Sequence, residues 1–304
     1  MKKIYIVMIN YNGQENTIEC LDSLMNIEMK GFGASTIVVD NSPENRIKVD
    51  KEKYKKIDLK VIMSPENLGF SGGVNIGIRK ALDNRADYVL IQNNDTFVAQ
   101  DFLQKLFEFG EKTENAGIIC PKIYFAKGFE FHKEKYMEKD KGRVFWYAGG
   151  IMDWQNVIAK HRGVDEVDQG QFDKAGQTDF ATGCSMLIRS GVFKKVGLFD
   201  EKYFLYYEDN DFSQRVKKVG YKIYYVPNSV VWHKNAGSTN GSGSGLQDYY
   251  ITRNRLYFGM KYAPFRARLA LFREGTSNFL RGREWQKKGA RDFYLRRFGK
   301  ARYF

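Results

Sequence analysis

Cysteine is scarce in this chain, and the little there is lies scattered. Cys20, Cys120 and Cys184 are odd in number, far apart and free of any C-x-x-C pairing. That excludes a disulfide framework and a cysteine zinc site, and it fits a reducing, cytoplasmic setting. No uninterrupted apolar stretch reaches the roughly 20 residues that a membrane-spanning helix needs. The opening MKKIYIVMINYN breaks into Asn10-Tyr11-Asn12 too early for a signal peptide and reads as a first strand. Two nucleotide signatures are also missing: there is no G-x-x-x-x-G-K-[ST] to make a P-loop, and no G-x-G-x-x-G follows the first strand.

Excess charge is missing from most of the chain as well. The 304 residues carry a formal net charge of +13, yet residues 1–250 hold 34 Lys or Arg against 33 Asp or Glu. Residues 251–304 hold 15 basic residues against Glu274, Glu284 and Asp292. A nearly neutral body, residues 1–250, is thus followed by a basic, mainly helical extension, residues 251–304. The extension interleaves aromatics and leucines with its cations (RARLALF, NFLRGREW, DFYLRRFGKARYF). That mixture is expected of a surface meeting anionic lipid or polyphosphate, with a solvated helical face as the plainer reading. The 43% hydrophobic content is enough for a substantial core.

What is present in the first half alternates between strand and helix patterns. KIYIVMIN, STIVVD, LKVIM, DYVLIQ and AGIICP are rich in Ile, Val or Tyr and end in polar residues. Between them ENTIECLDSLMN, GGVNIGIRKALDN and QDFLQKLFEFGEK repeat their apolar positions at the helical period. Near-continuous apolar strands alternating with helices predict an α/β fold with a mainly parallel sheet flanked by helices. Ligands bind such sheets outside the carboxyl ends of the strands. Polar residues gather there: Asn10 to Asn12, Asp40-Asn41, Asn67 onward and Asn93-Asn94-Asp95. Residues 122–176 lose the pattern and read as a partly antiparallel insertion. Later, Cys184–Ile188, YKIYYVP and SVVWH predict three further strands, and NAGSTNGSGSG reads by default as a connector.

Taken singly, the polar clusters stay ambiguous. NLGFSGGVNIGI can bring backbone and a helix N-terminus to an anion, or simply be a Gly-rich turn packing helix on strand. QNNDT can hold Mg²⁺ or Mn²⁺ beside a phosphate through one carboxylate and amides, or make an ordinary turn. His233 is a ligand candidate only with Asp95 beside it. In FLYYEDNDFSQR the acids Glu208, Asp209 and Asp211 either offset a helix dipole or include a group that takes a proton.

Together, the ordered set IVMINYNG, IVVDNS, NLGFSGGVNIGI, QNNDT, ATGCSMLI, FLYYEDNDFSQR and VVWHKNAGST resembles the family 2 inverting glycosyltransferases of the GT-A fold, most closely the rhamnosyltransferase-like members. The resemblance runs over roughly residues 1 to 260. It implies transfer of a sugar from a dTDP- or UDP-linked donor to a hydroxyl of a glycan or lipid-linked acceptor, with Mg²⁺ or Mn²⁺ on the diphosphate. By matching position, Asp40 and Asn41 resemble the base-binding pair, and Asn10 and Asn12 line the nucleoside side. Asn67, Gly69, Gly72 and Asn75 resemble the loop around base, ribose and sugar. Asn93-Asn94-Asp95 stands where relatives carry Asp-x-Asp, with Asn93 a departure from the usual acid and Asp95 and His233 as metal ligands. Asp209 matches the catalytic base, with Tyr206, Tyr207 and Glu208 on the acceptor side.

Three expectations complete the reading. The stretch 235–247 would form a lid over the donor, and Arg253 or Arg255 would reach the diphosphate. The basic extension would bring a cytoplasmic protein to the inner face of an anionic membrane. The competing functions are a sugar-phosphate nucleotidyltransferase, which would want a basic Gly-rich loop where NYNGQEN stands, and a nucleic-acid-binding protein using the tail. No nucleic-acid partner is expected on the preferred reading.

Overall fold

The computed structural model describes residues 1–235 and 244–304. The expected alternation is realised in order: β1 (Lys2–Asn10), α1 (Gln14–Leu24), β2 (Phe32–Asp40), β3 (Lys60–Met63), α2 (Gly69–Asp83), β4 (Tyr88–Gln92), β5 (Thr96–Val98), α3 (Phe102–Lys112) and β6 (Ala116–Phe125). A less regular stretch follows with β7 (Phe145–Tyr147), β8 (Gly150–Asp153), β9 (Ile158–His161) and β10 (Gly176–Gln177). The chain then returns to β11 (Ser185–Arg189), α4 (Ser190–Val196), α5 (Glu208–Lys218) and β12 (Lys222–His233), and ends in α6 (Gly245–Tyr262), α7 (Phe265–Arg281) and α8 (Glu284–Tyr294).

The spine of the main sheet runs β10-β12-β6-β11-β4-β1-β2-β3, with β5 joined to β12 and β7 to β6. The β3-β2-β1-β4 half is parallel throughout. β11 runs antiparallel between β4 and β6, while β6 and β12 are parallel. Ile4, Ile6, Val7, Val38, Val39, Leu90 and Ile91 are buried because helices cover both faces, which is why those strands read as continuous apolar runs. The chain winds from β1 to β2 in one direction and from β3 to β4 in the other, so a crevice opens between β1 and β4 at their carboxyl ends. Helix α2 lies tight on this sheet: a Cβ at Gly77 would stand 2.3 Å from Val7.

Three details refine the sequence pattern. YKIYYVP and SVVWH form one strand, β12, whose register against β6 shifts between Val226 and Val230. Pro227, which lacks an N–H, sits in that irregularity, and what reads as a turn is absorbed as a bulge. The insertion supplies two short strands that join the sheet antiparallel, β7 on β6 and β10 on β12, and a separate antiparallel hairpin, β8-β9, in line with its expected partly antiparallel character. The division expected at residue 250 falls inside α6. Among the described residues no helix is long and apolar enough to cross a membrane.

Candidate active site

At the crevice floor, the parallel register places Asn10 beside Asp40. Asn10 Nδ2 donates to Asp40 Oδ1 at 2.8 Å, and Asn10 Oδ1 accepts from Gly13 N and Thr17 Oγ1 at 3.2 and 3.0 Å. Asp40 also accepts Ser42 N at 3.1 Å and Ile47 N at 3.0 Å. The Asp40 side chain has no exposure, so in this conformation it braces the floor of the crevice instead of presenting oxygens to a ligand. Asn41 Nδ2 donates to Gly69 O at 2.8 Å, while its buried Oδ1 has no hydrogen-bond partner among the described residues. The rim is more open. Asn12 is exposed in a left-handed conformation with φ 52°, and Asn67, Asn93 and Asn94 are partly exposed. Asn94 Nδ2 donates to Thr17 Oγ1 at 2.9 Å, joining the end of β4 to α1.

Next to Asn94 the structure brings together Asp95 and His233, which are 138 residues apart in sequence. Pairing of β5 with the end of β12 sets His233 opposite Thr96, and Asp95 Oδ1 lies 3.1 Å from His233 Nε2. Burial would raise the Asp95 pKa, but the adjacent His233 outweighs it and holds the carboxyl below its ordinary value. Two ligands at right angles on a Mg²⁺ or Mn²⁺ held at about 2.1 Å lie about 3.0 Å apart, so this oxygen–nitrogen pair fits a shared cation. Diphosphate oxygens and water would complete the shell, since the described residues hold no cluster of three or more metal-ligating side chains. The Trp146 ring packs edge-on against His233, with centroids 4.5 Å apart, and also against His161 at 4.4 Å. Burial lowers the His161 pKa to about 4, which favours its neutral ring.

A third group forms where residues 203–207 cross the start of α2. Phe204 O accepts Phe70 N at 2.8 Å and Ser71 N at 3.3 Å, using carbonyl charge to satisfy the helix N-terminus. Gly69 is required here: its φ is 68°, and a Cβ would stand 2.4 Å from Phe204 O. Asn67 Oδ1 accepts Gly69 N at 2.9 Å, and Gly72, one turn on, packs over Leu68. Phe204, Tyr206 and Tyr207 all have positive φ, at 63°, 68° and 71°. Such backbone is strained for bulky side chains and persists only when the surroundings enforce it.

The enforcement comes from the C-terminal extension. Arg253 is fully buried, and its guanidinium donates to Lys202 O, Tyr203 O and Gly299 O at 3.1, 3.0 and 2.8 Å. Asn254 Nδ2 donates to Tyr203 O, Leu205 O and Tyr206 O at 2.8 to 2.9 Å. Two expected donor contacts are corrected by this geometry. Arg253 is occupied by backbone carbonyls and does not face the crevice as a free cation. Asn75 is likewise consumed: it donates to Phe199 O at 2.9 Å, accepts Phe199 N at 3.0 Å and is 1% exposed. Arg255 is also paired, with Glu274 and with Asn156 O.

The acids of FLYYEDNDFSQR occupy the first turn of α5 and have three different environments. Asp211 is fully buried, accepting Arg215 Nε at 2.7 Å, Lys261 Nζ at 2.6 Å and Tyr262 OH at 2.7 Å. It is a structural hub between α5 and α6. Glu208 is buried, its Oε2 has no hydrogen-bond partner among the described residues, and burial together with Asp209 pushes its pKa well above the ordinary value. Asp209 is partly exposed. Its Oδ1 accepts Asn210 N and Nδ2 at 2.7 and 2.8 Å, and its Oδ2 accepts Gly183 N at 3.0 Å. Burial raises its pKa despite those hydrogen bonds. Tyr207 OH donates to Val157 O at 3.2 Å, fixing the ring beside the hairpin; Tyr206 is partly buried.

The lead-in to β11 joins these groups. Gly183 N holds Asp209, and the next residue, Cys184, accepts Asn93 N through its carbonyl at 2.8 Å. Gly183, Asn254 and Trp146 were not singled out in the sequence. The ATGCSMLI motif contains the first, while nothing local marks the other two, whose partners lie far off in the chain. The proposed lid falls largely on residues 236–243, outside the described residues.

A family model described as "Glycosyl transferase family 2" matches residues 5–197. Among characterised proteins, the chain is 26% identical to the low-salt glycan biosynthesis hexosyltransferase Agl10 of Haloferax volcanii, over 82% of this chain and 73% of that one. It is 24% identical to the dTDP-rhamnosyl transferase RfbF of Shigella flexneri, over 83% of this chain and 78% of that one. Among solved structures, GalNAc-T7 with UDP, GalNAc and Mn²⁺ is similar with a TM-score of 0.65 at 17% identity, over 96% of this chain and 55% of that one. The chain therefore spans about half of GalNAc-T7, and the likeness establishes a shared GT-A architecture.

Proposed function

The chain belongs to glycosyl transferase family 2 and is a glycosyltransferase, and from that premise we propose that it moves a sugar from a dTDP- or UDP-linked donor to a hydroxyl of a glycan or lipid-linked acceptor, with inversion. The observation that carries the reading is the backbone link from Asp209 through Gly183 and Cys184 to Asn93, two residues from Asp95. It holds a partly exposed carboxylate and the Asp95–His233 pair on one frame. The names of the relatives support a nucleotide sugar and a glycan product. Family membership favours sugar transfer over nucleotidyl transfer or nucleic-acid binding.

In this reading Asn12, Asn67, Asn93 and Asn94 at the rim contact the donor, and Asn10, Asp40 and Asn41 keep the floor in place. Gly69 and Gly72 let the start of α2 approach it. Asp95 and His233 hold Mg²⁺ or Mn²⁺, which when bound neutralises charge on the diphosphate leaving group. Asp209 takes the proton from the acceptor hydroxyl as that oxygen attacks the anomeric carbon. Its Oδ2 has one hydrogen-bond partner among the described residues and keeps a lone pair for that task. A raised pKa brings the base nearer to working pH. Tyr206 and Tyr207 offer apolar ring surface next to it, and Glu208 lies behind.

A thermal-shift and hydrolysis panel of UDP-, dTDP- and GDP-sugars, with and without Mn²⁺, tests the proposal. A stabilising shift with one nucleoside class that grows with Mn²⁺ is expected. No response to any member of the panel would overturn it.

A further inference from the structure

Helix α7 carries two apolar stripes, and only one of them is used inside the protein. Ala267, Leu271 and Gly275, spaced by one turn, are buried against the other helices of the extension. Phe265, Leu269, Phe272, Phe279 and Leu280 fall on the opposite side at helical spacing, and each is between 44% and 71% exposed. At 100° per residue these five span about 100° of the helix surface, the width of an apolar face that normally meets a partner. Arg268 flanks one side of the stripe, and Arg266 and Arg273 flank the other. All three are exposed, and neither Arg266 nor Arg273 forms an ion pair among the described residues. Glu274, the helix's one acid, is taken by Arg255.

An outward apolar stripe edged by unpaired arginines is the chemistry of a helix lying in a membrane interface, with aromatic and leucine side chains among acyl chains and guanidinium groups at phosphates. We propose that the outer face of α7 docks on an anionic lipid surface. Placement relative to the candidate site supports the choice. Leu271 packs on Gly259 of α6, where a Cβ would stand 2.2 Å from it, and Gly259 abuts Val157 at the tip of the β8-β9 hairpin. Val157 O accepts the Tyr207 hydroxyl. A surface that holds α7 is thereby coupled through three packed residues to the residue two positions before Asp209. Docking places the acceptor end of the site near the membrane, where a lipid-linked hydroxyl would be presented. The docking itself does not depend on which donor is used.

Vesicle co-flotation of the full chain tests this, comparing phosphatidylcholine vesicles with phosphatidylcholine–phosphatidylglycerol vesicles at low and high salt. The chain is expected on the anionic vesicles, with binding weakened by salt. The variant Phe265→Ser/Leu269→Ser/Phe272→Ser should lower partitioning roughly tenfold or more, because exposed apolar area is what inserts. Arg266→Gln/Arg273→Gln should reduce the preference for anionic over neutral vesicles while leaving the fold intact, and it serves if the first variant is unstable. Unchanged partitioning in both variants would overturn the proposal, as would no binding by the parent chain. Light scattering that shows a dimer lost in the first variant, or salt-sensitive binding of the tail to nucleic acid in place of vesicles, would also overturn it. Nucleotide-induced thermal shifts measured alongside separate this outcome from failure of the glycosyltransferase reading.

Discussion

Gly183 donates its backbone N–H to the Asp209 carboxylate at 3.0 Å, so the acid is oriented by a main-chain group on the lead-in to β11. A backbone donor cannot rotate away as a side chain can. Asp209→Asn keeps the size of the group but removes its basicity. Transfer should fall by roughly 10²-fold or more, while the thermal shift from nucleotide and Mn²⁺ stays within error. Near-normal turnover in the variant would remove Asp209 from the role of base.

Glu208 yields a pH prediction whose sign can be worked out. Its folded pKa is raised, so the folded state binds the proton more tightly than the unfolded chain. Stability therefore declines as pH rises from the ordinary carboxylate value through the raised one. Glu208→Gln removes this slope. Thermal denaturation should find the variant more stable than the parent above that window, by about 1–3 kcal/mol, and equal to it below the ordinary value. A variant less stable at every pH would show that the carboxylate has partners beyond those seen here.

Arg253 separates structural from ligand-binding behaviour. Arg253→Met removes three hydrogen bonds of a buried guanidinium, to Lys202 O, Tyr203 O and Gly299 O, and should lower stability by about 2–4 kcal/mol in chemical denaturation. Arg253→Lys should recover little, because an ammonium cannot reproduce the planar fork. Full stability with a selective loss of nucleotide affinity would restore the diphosphate role rejected above.

The Asp95–His233 pair predicts dependence on a divalent cation. Chelation should abolish transfer and Mn²⁺ should restore it. Asp95→Asn and His233→Ala should each raise the Mn²⁺ concentration for half-maximal activity by about tenfold or more, since each removes one of the two proposed protein ligands, whose side chains stand 3.1 Å apart. Equal Mn²⁺ dependence in parent and variants would place the ion elsewhere.

The parts legible in the sequence were those whose cause is local. Ile/Val runs buried on both faces announce the parallel strands, and polar residues at strand ends announce the crevice, including the Asn10–Asp40 register. Less legible were residues whose partners are set by tertiary structure. Arg253 looks like any cation in a basic tail, and its acceptors lie 50 and 51 residues earlier, at Tyr203 and Lys202, and 46 residues later, at Gly299. Asn75 sits in a Gly-rich motif that suggests ligand contact, yet its amide faces Phe199 across 124 residues. Asp40 was recognisable as the acid ending β2, but its complete burial depends on the fold of residues 42–47. Pro227 misled for a different reason: a proline suggests a break until a bulge is available to house it.

The clamp of Arg253 and Asn254 on residues 202–206 also has a consequence for inheritance. The strained aromatic loop and the helix that restrains it are separate in sequence but form one heritable unit. A tail exchanged between relatives at residue 250 would bring a foreign clamp to a native loop, even with every residue of the crevice unchanged. Productive recombination therefore requires the two segments to travel together or their contacts to match, and the tail is constrained at the two clamp positions by a loop that lies outside it.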